Sequence, residues 1–296
     1  MDLEGILNID KPVGMTSHDV VGRVRRVYGT RRVGHTGTLD PLATGVLVVC
    51  IGRATRLVEY VVGRPKTYLA TVRLGQATNT YDAEGEITAE RPLPPEFPLQ
   101  TIEETLEQFR GEIKQLPPMY SAIKKDGQPL YKLARQGKEV EREPRAVTVY
   151  NLQILGWEQP DLHLLIRCSA GTYIRSIAHD LGEVLGFGGY LTMLRRTAVG
   201  AFTLDTAVPL DQLTPENAAD HLQTADLAVT HLPRLDLPDE QVQKLYNGQL
   251  VSPTAPLAEQ ELLRVYDSGN NLAGLVTVNR EKLRAKKMFI PPFTLS

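Results

Sequence analysis

The feature that most constrains the fold is the run from Thr44 to Ile51, Thr-Gly-Val-Leu-Val-Val-Cys-Ile, eight residues without a single charge. A membrane span needs about 18 to 20 such residues, and no stretch of this chain approaches that length. The run therefore reads as a strand buried inside a soluble protein. On one side of it, Ser17 is placed as the N-cap of a helix whose Val20, Val21, Val24 and Val27 recur at helical spacing and which ends near Gly29. On the other side, residues 53 to 62 read as a helix, and residues 5 to 9 as a further short buried strand.

The same alternation of elements continues. Residues 67 to 74 read as a strand, and Thr101 with Glu104 as a capping box opening a helix to about Phe109, broken by the prolines between Gln115 and Met119. Residues 120 to 145 are polar and basic, with a short helix near 130 to 136, and read as an excursion from the core. Two strands, 146 to 157 and 161 to 168, meet at Gln159-Pro160, followed by a helix over 172 to 185 and an extended segment over 190 to 203. Beyond residue 204 come short amphipathic pieces, Pro215 to Gln223 and Pro238 to Tyr246. Then two strand-like runs, Leu262 to Tyr266 and Leu272 to Val278, flank the hairpin turn Asp267-Ser-Gly-Asn-Asn271. Strands and helices mix without a strict βαβ rhythm, so the class is α+β rather than a doubly wound sheet. A boundary near residue 232 separates a domain over 1–231 from a tail over 232–296, which is enough chain for a small barrel docked on its neighbour.

A net charge of -2 would argue against a polyanionic partner if charge were spread evenly, but it is not. Arg23, Arg25, Arg26, Arg31 and Arg32 cluster, as do Lys124, Lys125, Lys132, Arg135 and Lys138, and again Arg280, Lys282, Arg284, Lys286 and Lys287. Each group alone is an ordinary solvated face; three together point to a polyanion. The two cysteines, Cys50 and Cys168, lie far apart and form neither a CxxC pair nor a disulfide scaffold. The N-terminal Met1-Asp-Leu-Glu-Gly5 carries acids where a signal peptide would be basic, so a cytoplasmic protein is expected.

Asp40 sits in the loop Gly34-His-Thr-Gly-Thr-Leu-Asp-Pro41, where the following proline disfavours helix. Taken by itself it is a turn aspartate capping backbone amides. The loop matches neither the Walker nor the dinucleotide pattern. Ser17, His18 and Asp19 are sequence neighbours and would not face one another on a helix. No GxSxG elbow occurs, and the six histidines show no metal-ligand spacing. No cofactor and no metal are expected.

Five strings in order change the weight of that aspartate. They are Lys11-Pro-Val-Gly-Met-Thr-Ser17, Gly34 to Gly45, Lys66-Thr-Tyr68 running into Arg73-Leu-Gly75, Gly171-Thr-Tyr-Ile-Arg175 before Asp180-Leu-Gly182, and Leu194-Arg-Arg-Thr197. Together they resemble the motifs of the TruB family of tRNA pseudouridine synthases and cover most of residues 5 to 200. The resemblance implies a pseudouridine synthase fold: a central mixed, mainly antiparallel sheet flanked by helices, with a small C-terminal barrel related to PUA domains. It implies that Asp40 is the catalytic carboxylate and that Arg175 pairs with it. Tyr68 would pack on the target base and serve in proton transfer. Tyr173 and Leu194 would line the uracil pocket, and His35 would fill or border the space left by the flipped nucleotide. Residues 120 to 145 would be a thumb-like insertion gripping the T arm, and the basic group from Arg280 to Lys287 would touch RNA away from the reaction centre.

The implied reaction turns the uridine at position 55 in the T loop of tRNA into pseudouridine. The N-glycosidic bond becomes a C-glycosidic one with no redox change, which fits a site built without a cofactor. An ionised carboxylate can stabilise positive charge on the ribose or add to an electrophilic carbon, and a neighbouring cation favours its ionisation. Flipping the base out of the RNA costs a few kcal/mol, offset by stacking and pocket contacts. The implied partner is the tRNA T arm, with no membrane, no obligatory protein partner and a monomeric state. Two other classes stand beside this one: a guide-RNA-dependent relative acting on ribosomal RNA, and an RNA-folding chaperone. The last is compatible with the first, because base flipping opens RNA structure. A non-specific RNA hydrolase would release uracil or cut strands and is disfavoured.

Overall fold

The computed structural model describes residues 4–289 apart from 126, 135, 139, 254, 255 and 260, and of Lys125 the backbone alone. Arg135 of the second basic group and the first three residues thus lie outside the described residues.

In chain order the strands of the larger unit are β1 (Gly5–Lys11), β2 (Val33–His35), β3 (Thr44–Ile51) and β4 (Lys66–Leu74). A small pair follows, β5 (Gln76–Thr78) with β6 (Ile87–Glu90), then β7 (Gly111–Gln115) and a second small pair, β8 (Lys124–Lys125) with β9 (Gln128–Pro129). The unit closes with β10 (Arg145–Glu158), β11 (Asp161–Cys168), β12 (Gly189–Val199), β13 (Phe202–Thr203) and β14 (Val208–Pro209). Helices α1 (Ser17–Tyr28), α2 (Val58–Val62), α3 (Leu99–Leu106), α4 (Leu130–Ala134) and α5 (Ile174–Leu185) lie between them. The main sheet runs β14-β1-β3-β12-β4-β11-β10-β7, with β2 on β3 and β13 on β12. Most pairs are antiparallel; β1 with β14 and β3 with β12 are parallel. The architecture is the mixed, mainly antiparallel α+β sheet that the sequence implied.

β3 explains its own composition. Leu47, Val49 and Ile51 face one core, under α1, α3 and α5. Val46, Val48 and Cys50 face a second core on the opposite side, built with α2 and with side chains drawn from residues 225–289. A strand covered on both faces has no position for a polar side chain, hence the unbroken apolar run. β4 and β11, covered on one face only, alternate instead: Tyr68, Ala70, Val72 and Leu74, and Leu162, Leu164, Ile166 and Cys168, point inward.

α1 starts one residue earlier than the spacing predicts. Thr16, not Ser17, is the N-cap: its hydroxyl accepts from the Asp19 amide and the Asp19 carboxylate answers the Thr16 amide, a capping box worth about 1 kcal/mol. Gly29 closes the helix in the left-handed conformation, as placed. The expected capping box at Thr101 is absent, because α3 opens at Leu99 behind Pro98, whose fixed φ suits helix entry. Thr101 lies inside the helix and its carbonyl accepts from the Thr105 hydroxyl. The strand β7 was hidden in a short polar string and takes only an edge position. Residues 215–221 form successive turns rather than a helix, since Asn217 bonds both the Thr214 amide and the Gln212 carbonyl.

The Asp180-Leu-Gly182 string has a packing cause. α5 crosses β12 so closely that a Cβ on Gly182 would lie 2.0 Å from the Gly189 amide nitrogen. Gly182→Ala must push the helix off the sheet that carries the site, and we expect a loss of about 1 to 3 kcal/mol. A thermal midpoint matching the parent in calorimetry would contradict this close approach.

The chain then enters a four-stranded sheet, β15 (Arg234–Asp236), β16 (Leu262–Tyr266), β17 (Leu272–Asn279) and β18 (Lys282–Met288), with α6 (Asp239–Tyr246) against it. Val242 and Leu245 pack on Leu263, Val265, Val276 and Leu283. Tyr266, Leu272, Leu275 and Phe289 instead extend the second core of the larger unit. Arg56 donates to the Met288 carbonyl at 2.7 Å, and the Tyr266 hydroxyl donates to Asp226 at 2.9 Å. The two units are docked through both apolar and polar contacts. Among the described residues no helix is long and apolar enough to cross a membrane.

Candidate active site

The loop from Thr36 to Ala43 carries Asp40, and three of the five strings converge to hold it. Lys11 is fully buried; its ammonium donates to the carbonyls of Pro12, Met15 and, at 3.4 Å, Pro41. The Gly14 amide also donates to the Pro41 carbonyl, at 2.9 Å. Ser17 is free to be the first helical residue because its hydroxyl has other work: it donates to the Leu39 carbonyl and accepts from the Leu39 amide at 2.8 Å. The N-terminal string is thus a cradle for both residues flanking Asp40. From the other side, the buried guanidinium of Arg196 donates to the carbonyls of Gly37, Thr38 and Val46. Gly45 closes the loop where a Cβ would meet the Arg196 carbonyl oxygen at 2.2 Å, at a φ of 96° that only glycine adopts easily.

Arg175 reaches the same loop from the first turn of α5. Its Nε lies 3.0 Å from the Asp40 carboxylate. Its Nη1 lies 3.3 Å from the Asp82 carboxylate and donates to the Thr80 carbonyl at 3.1 Å, while Nη2 donates to the Tyr120 carbonyl at 2.8 Å. One planar cation therefore ties together the Asp40 loop, the turn at 79–82 and the start of the excursion, a fork geometry that lysine could not match. Of these charged side chains Asp40 alone is open to a reactant: it keeps 38% of its surface, against 6% for Arg175 and 3% for Asp82.

Burial pushes the Asp40 carboxyl above the ordinary carboxylate range; Arg175 pulls it back, Asp82 adds to the rise and Lys11 opposes it. Burial also brings the Lys11 ammonium down to about 8, against the pull of Asp40. Two carboxylates thus share one arginine, and that arginine is the largest influence favouring ionisation of Asp40.

Tyr68 is the third residue of β4, and its buried side chain belongs to the same core as Leu194 and Ile174. Burial raises its phenol, and a hydrogen bond from Arg196 works in the opposite direction. At neutral pH its hydroxyl stays protonated. Tyr173 is the N-cap residue of α5, its backbone gripped by the Gln115 amide, which donates to the Tyr173 carbonyl and accepts from its amide. Burial raises the Tyr173 phenol as well. His35 lies at the other end of the loop, near Arg196 and His18; its Nδ1 accepts from the Gly37 amide at 3.3 Å. Burial lowers its pKa, leaving a neutral ring. The structure thus joins Asp40 and Arg175 directly, sets Tyr68 and Tyr173 within reach of the Asp40 charge, and places Leu194 in the wall beside Tyr68.

Asp82, Arg196 and Ser17 are functional neighbours that sequence reasoning did not assign. Asp82 lies in an ordinary polar turn, and Arg196 sits within Leu194-Arg-Arg-Thr197 but next to a more exposed arginine, Arg195, paired with Asp10. Among the described residues no cluster of His, Cys, Asp or Glu could hold a metal ion.

The model of the TruB family pseudouridylate synthase N-terminal domain matches residues 25–174, spanning Asp40 and Tyr68. A tRNA pseudouridylate synthase B C-terminal domain model matches 175–238, and a TruB C-terminal model matches 233–289. This chain belongs to the TruB family. The tRNA pseudouridine synthase B of Burkholderia lata is 46% identical over 273 residues, covering 90% of this chain and 84% of that protein. That of Dehalococcoides mccartyi strain 195 is 45% identical over 295 residues, covering 98% of each. Among solved structures, a Cbf5–Nop10–Gar1 complex matches with a TM-score of 0.75 at 28% identity, covering 97% of this chain and 85% of that one. An H/ACA RNP bound to a substrate RNA containing 2′-deoxyuridine matches with a TM-score of 0.73 at 26% identity, over the same shares of each chain. The overall fold is therefore shared by this chain and a chain of each of those assemblies.

Proposed function

We propose that this TruB-family chain converts the uridine at position 55 of tRNA, in the T loop, to pseudouridine. The observation that carries the reading is the partly open Asp40 carboxylate, held at 3.0 Å by a buried arginine inside the family's signature loop. In this reading the bond from ribose C1′ to uracil N1 breaks, the base turns, and a bond from C1′ to C5 forms. The C5 proton ends on N1, so the formula of the nucleotide is unchanged. Asp40, ionised by Arg175, meets the positive charge or electrophilic carbon that bond breaking creates. Tyr68 stacks on the flipped uracil with its hydroxyl at the polar edge, Tyr173 and Leu194 complete the pocket wall, and His35 borders the vacated stack.

The chain divides near residue 232 into a catalytic unit and an RNA-binding unit. Lys282, Arg284 and Lys286 alternate along β18 with their side chains exposed, which suits backbone phosphates. Lys287 is turned the other way, onto Glu59 and the Arg56 carbonyl, and serves the docking of the two units instead. The protein acts as a cytoplasmic monomer on the T arm, gripped by residues 120–145.

The likeness to Cbf5 assemblies supports a second reading, in which a guide RNA is required. Purified protein incubated with an isolated T-arm hairpin separates them. We expect pseudouridine at a single position without any added RNA or protein. Product only when a guide RNA is supplied would overturn the stand-alone reading. A chaperone role is separable too: Asp40→Ala protein should still speed tRNA folding if opening of RNA structure suffices.

A further inference from the structure

Arg175 can hold Asp40 only if the turn behind it stays in place. That turn offers two oxygens to the same Nη1, the Thr80 carbonyl at 3.1 Å and the Asp82 carboxylate at 3.3 Å. The residue between them, Tyr81, takes a left-handed backbone with φ of 66°. For a side chain with a Cβ this costs about 1 kcal/mol, and glycine or asparagine would adopt it more easily. A large aromatic residue at such a position needs a compensating contact. The Tyr81 ring lies flat on the His179 imidazole, with centroids 3.8 Å apart and planes within 7°. His179 stands four residues after Arg175 on α5, one helical turn along the same face. On its other side the turn is fixed to β12, where Leu191 donates its amide to the Tyr81 carbonyl and accepts from the Ala83 amide.

We infer that Tyr81 and His179 form a positioning clamp, through which the helix that carries Arg175 also anchors the turn that aims it at Asp40. Neither ring touches the reacting atoms; both act through the guanidinium. Burial keeps the His179 imidazole in its neutral form, so the contact is a stack of two uncharged rings. Asp82 has a second anchor in the turn itself, accepting from the Thr80 hydroxyl at 2.6 Å and the Glu84 amide at 3.1 Å. The turn is rigid as a unit, and the clamp decides where that unit sits. A misplacement of under an ångström at the guanidinium is enough to slow turnover while leaving RNA binding alone.

The inference rests on the reading that Asp40 and Arg175 perform the isomerisation. Its test is steady-state turnover of full-length tRNA by the parent protein, Tyr81→Phe, Tyr81→Gly, His179→Ala and the Tyr81→Gly/His179→Ala double variant, with a thermal midpoint for each. Tyr81→Phe keeps the ring and should keep kcat within about twofold. Tyr81→Gly removes the ring and the backbone strain together, and should lower kcat by about tenfold or more with KM nearly unchanged. His179→Ala should do the same, and the double variant should be no worse than the poorer single one, as expected of two halves of one contact. A Tyr81→Gly protein with full kcat would overturn the clamp, as would a raised KM at constant kcat or a kcat loss tracking a lowered thermal midpoint. If the parent protein itself forms no pseudouridine, the functional reading falls instead.

Discussion

Asp40→Asn protein should bind tRNA as the parent does and form pseudouridine at least about 10³-fold more slowly, a barrier increase of roughly 4 kcal/mol. The substitution keeps the size and planarity of the side chain and removes only the charge. Asp82 does not replace that charge: it keeps 3% of its surface and is already engaged by Arg175 and its own turn. Stability should move the other way. Burial disfavours the ionised Asp40 carboxyl, so neutralising it removes a cost, and Arg175 still has Asp82 as a counter-charge. The thermal midpoint should therefore match or exceed that of the parent, the usual relation where a charged group is kept for activity. The measurements are chemical mapping of pseudouridine in a tRNA transcript, a binding isotherm and a melting curve. Equal product from both proteins would refute the assignment of Asp40. A lowered melting temperature would refute the account of why its carboxyl is raised.

What the sequence made legible follows from how local each signal is. β3 was readable because burial on two faces writes itself into eight consecutive residues, and its limits, Thr44 to Ile51, were placed correctly. α1 and its αL glycine were readable because both belong to one short segment. The cap was misplaced by one residue because Thr16 and Ser17 are equivalent as cap types. Only the tertiary bond from Ser17 to Leu39 decides between them. β18 was read as a basic group rather than a strand, since Lys282, Arg284 and Lys286 mask the buried Leu283 and the half-buried Ala285 between them. At the site, Asp40 and Arg175 lie 135 positions apart and nothing local pairs them; the ordered strings did. Asp82 and Arg196 escaped because their roles exist only in three dimensions. One is a turn aspartate that happens to face a helix, and the other a strand arginine whose partners are three backbone carbonyls.

Arg175→Met tests the charge balance most severely, because activity and stability should respond to pH in opposite directions. The variant removes the cation shared by Asp40 and the buried Asp82 and leaves the Thr80 and Tyr120 carbonyls without their donor. Breaking a buried pair in this way costs about 3 to 5 kcal/mol. Arg175 is the largest influence drawing the Asp40 carboxyl down, so its removal lets burial and Asp82 raise that carboxyl further. At neutral pH less Asp40 is then ionised, and turnover should fall by about 10²-fold or more. The ionised fraction recovers as pH rises, so the rate of the variant should still be climbing where the parent has levelled off. Folding responds with the opposite sign. Between the free carboxylate value of 3.8 and the raised one, the folded state holds a proton that the unfolded state has released. The stability this group contributes is therefore fully present below that interval and is lost as pH rises through it. Rate profiles and melting curves over the same pH range should thus diverge, with turnover rising while the thermal midpoint falls. Arg175→Lys should restore the midpoint more than the rate, since an ammonium returns charge but cannot span four oxygens in one plane. Parallel profiles for the parent and Arg175→Met would show that Asp40 ionises without help from this arginine, and the site would need another source for its reactive carboxylate.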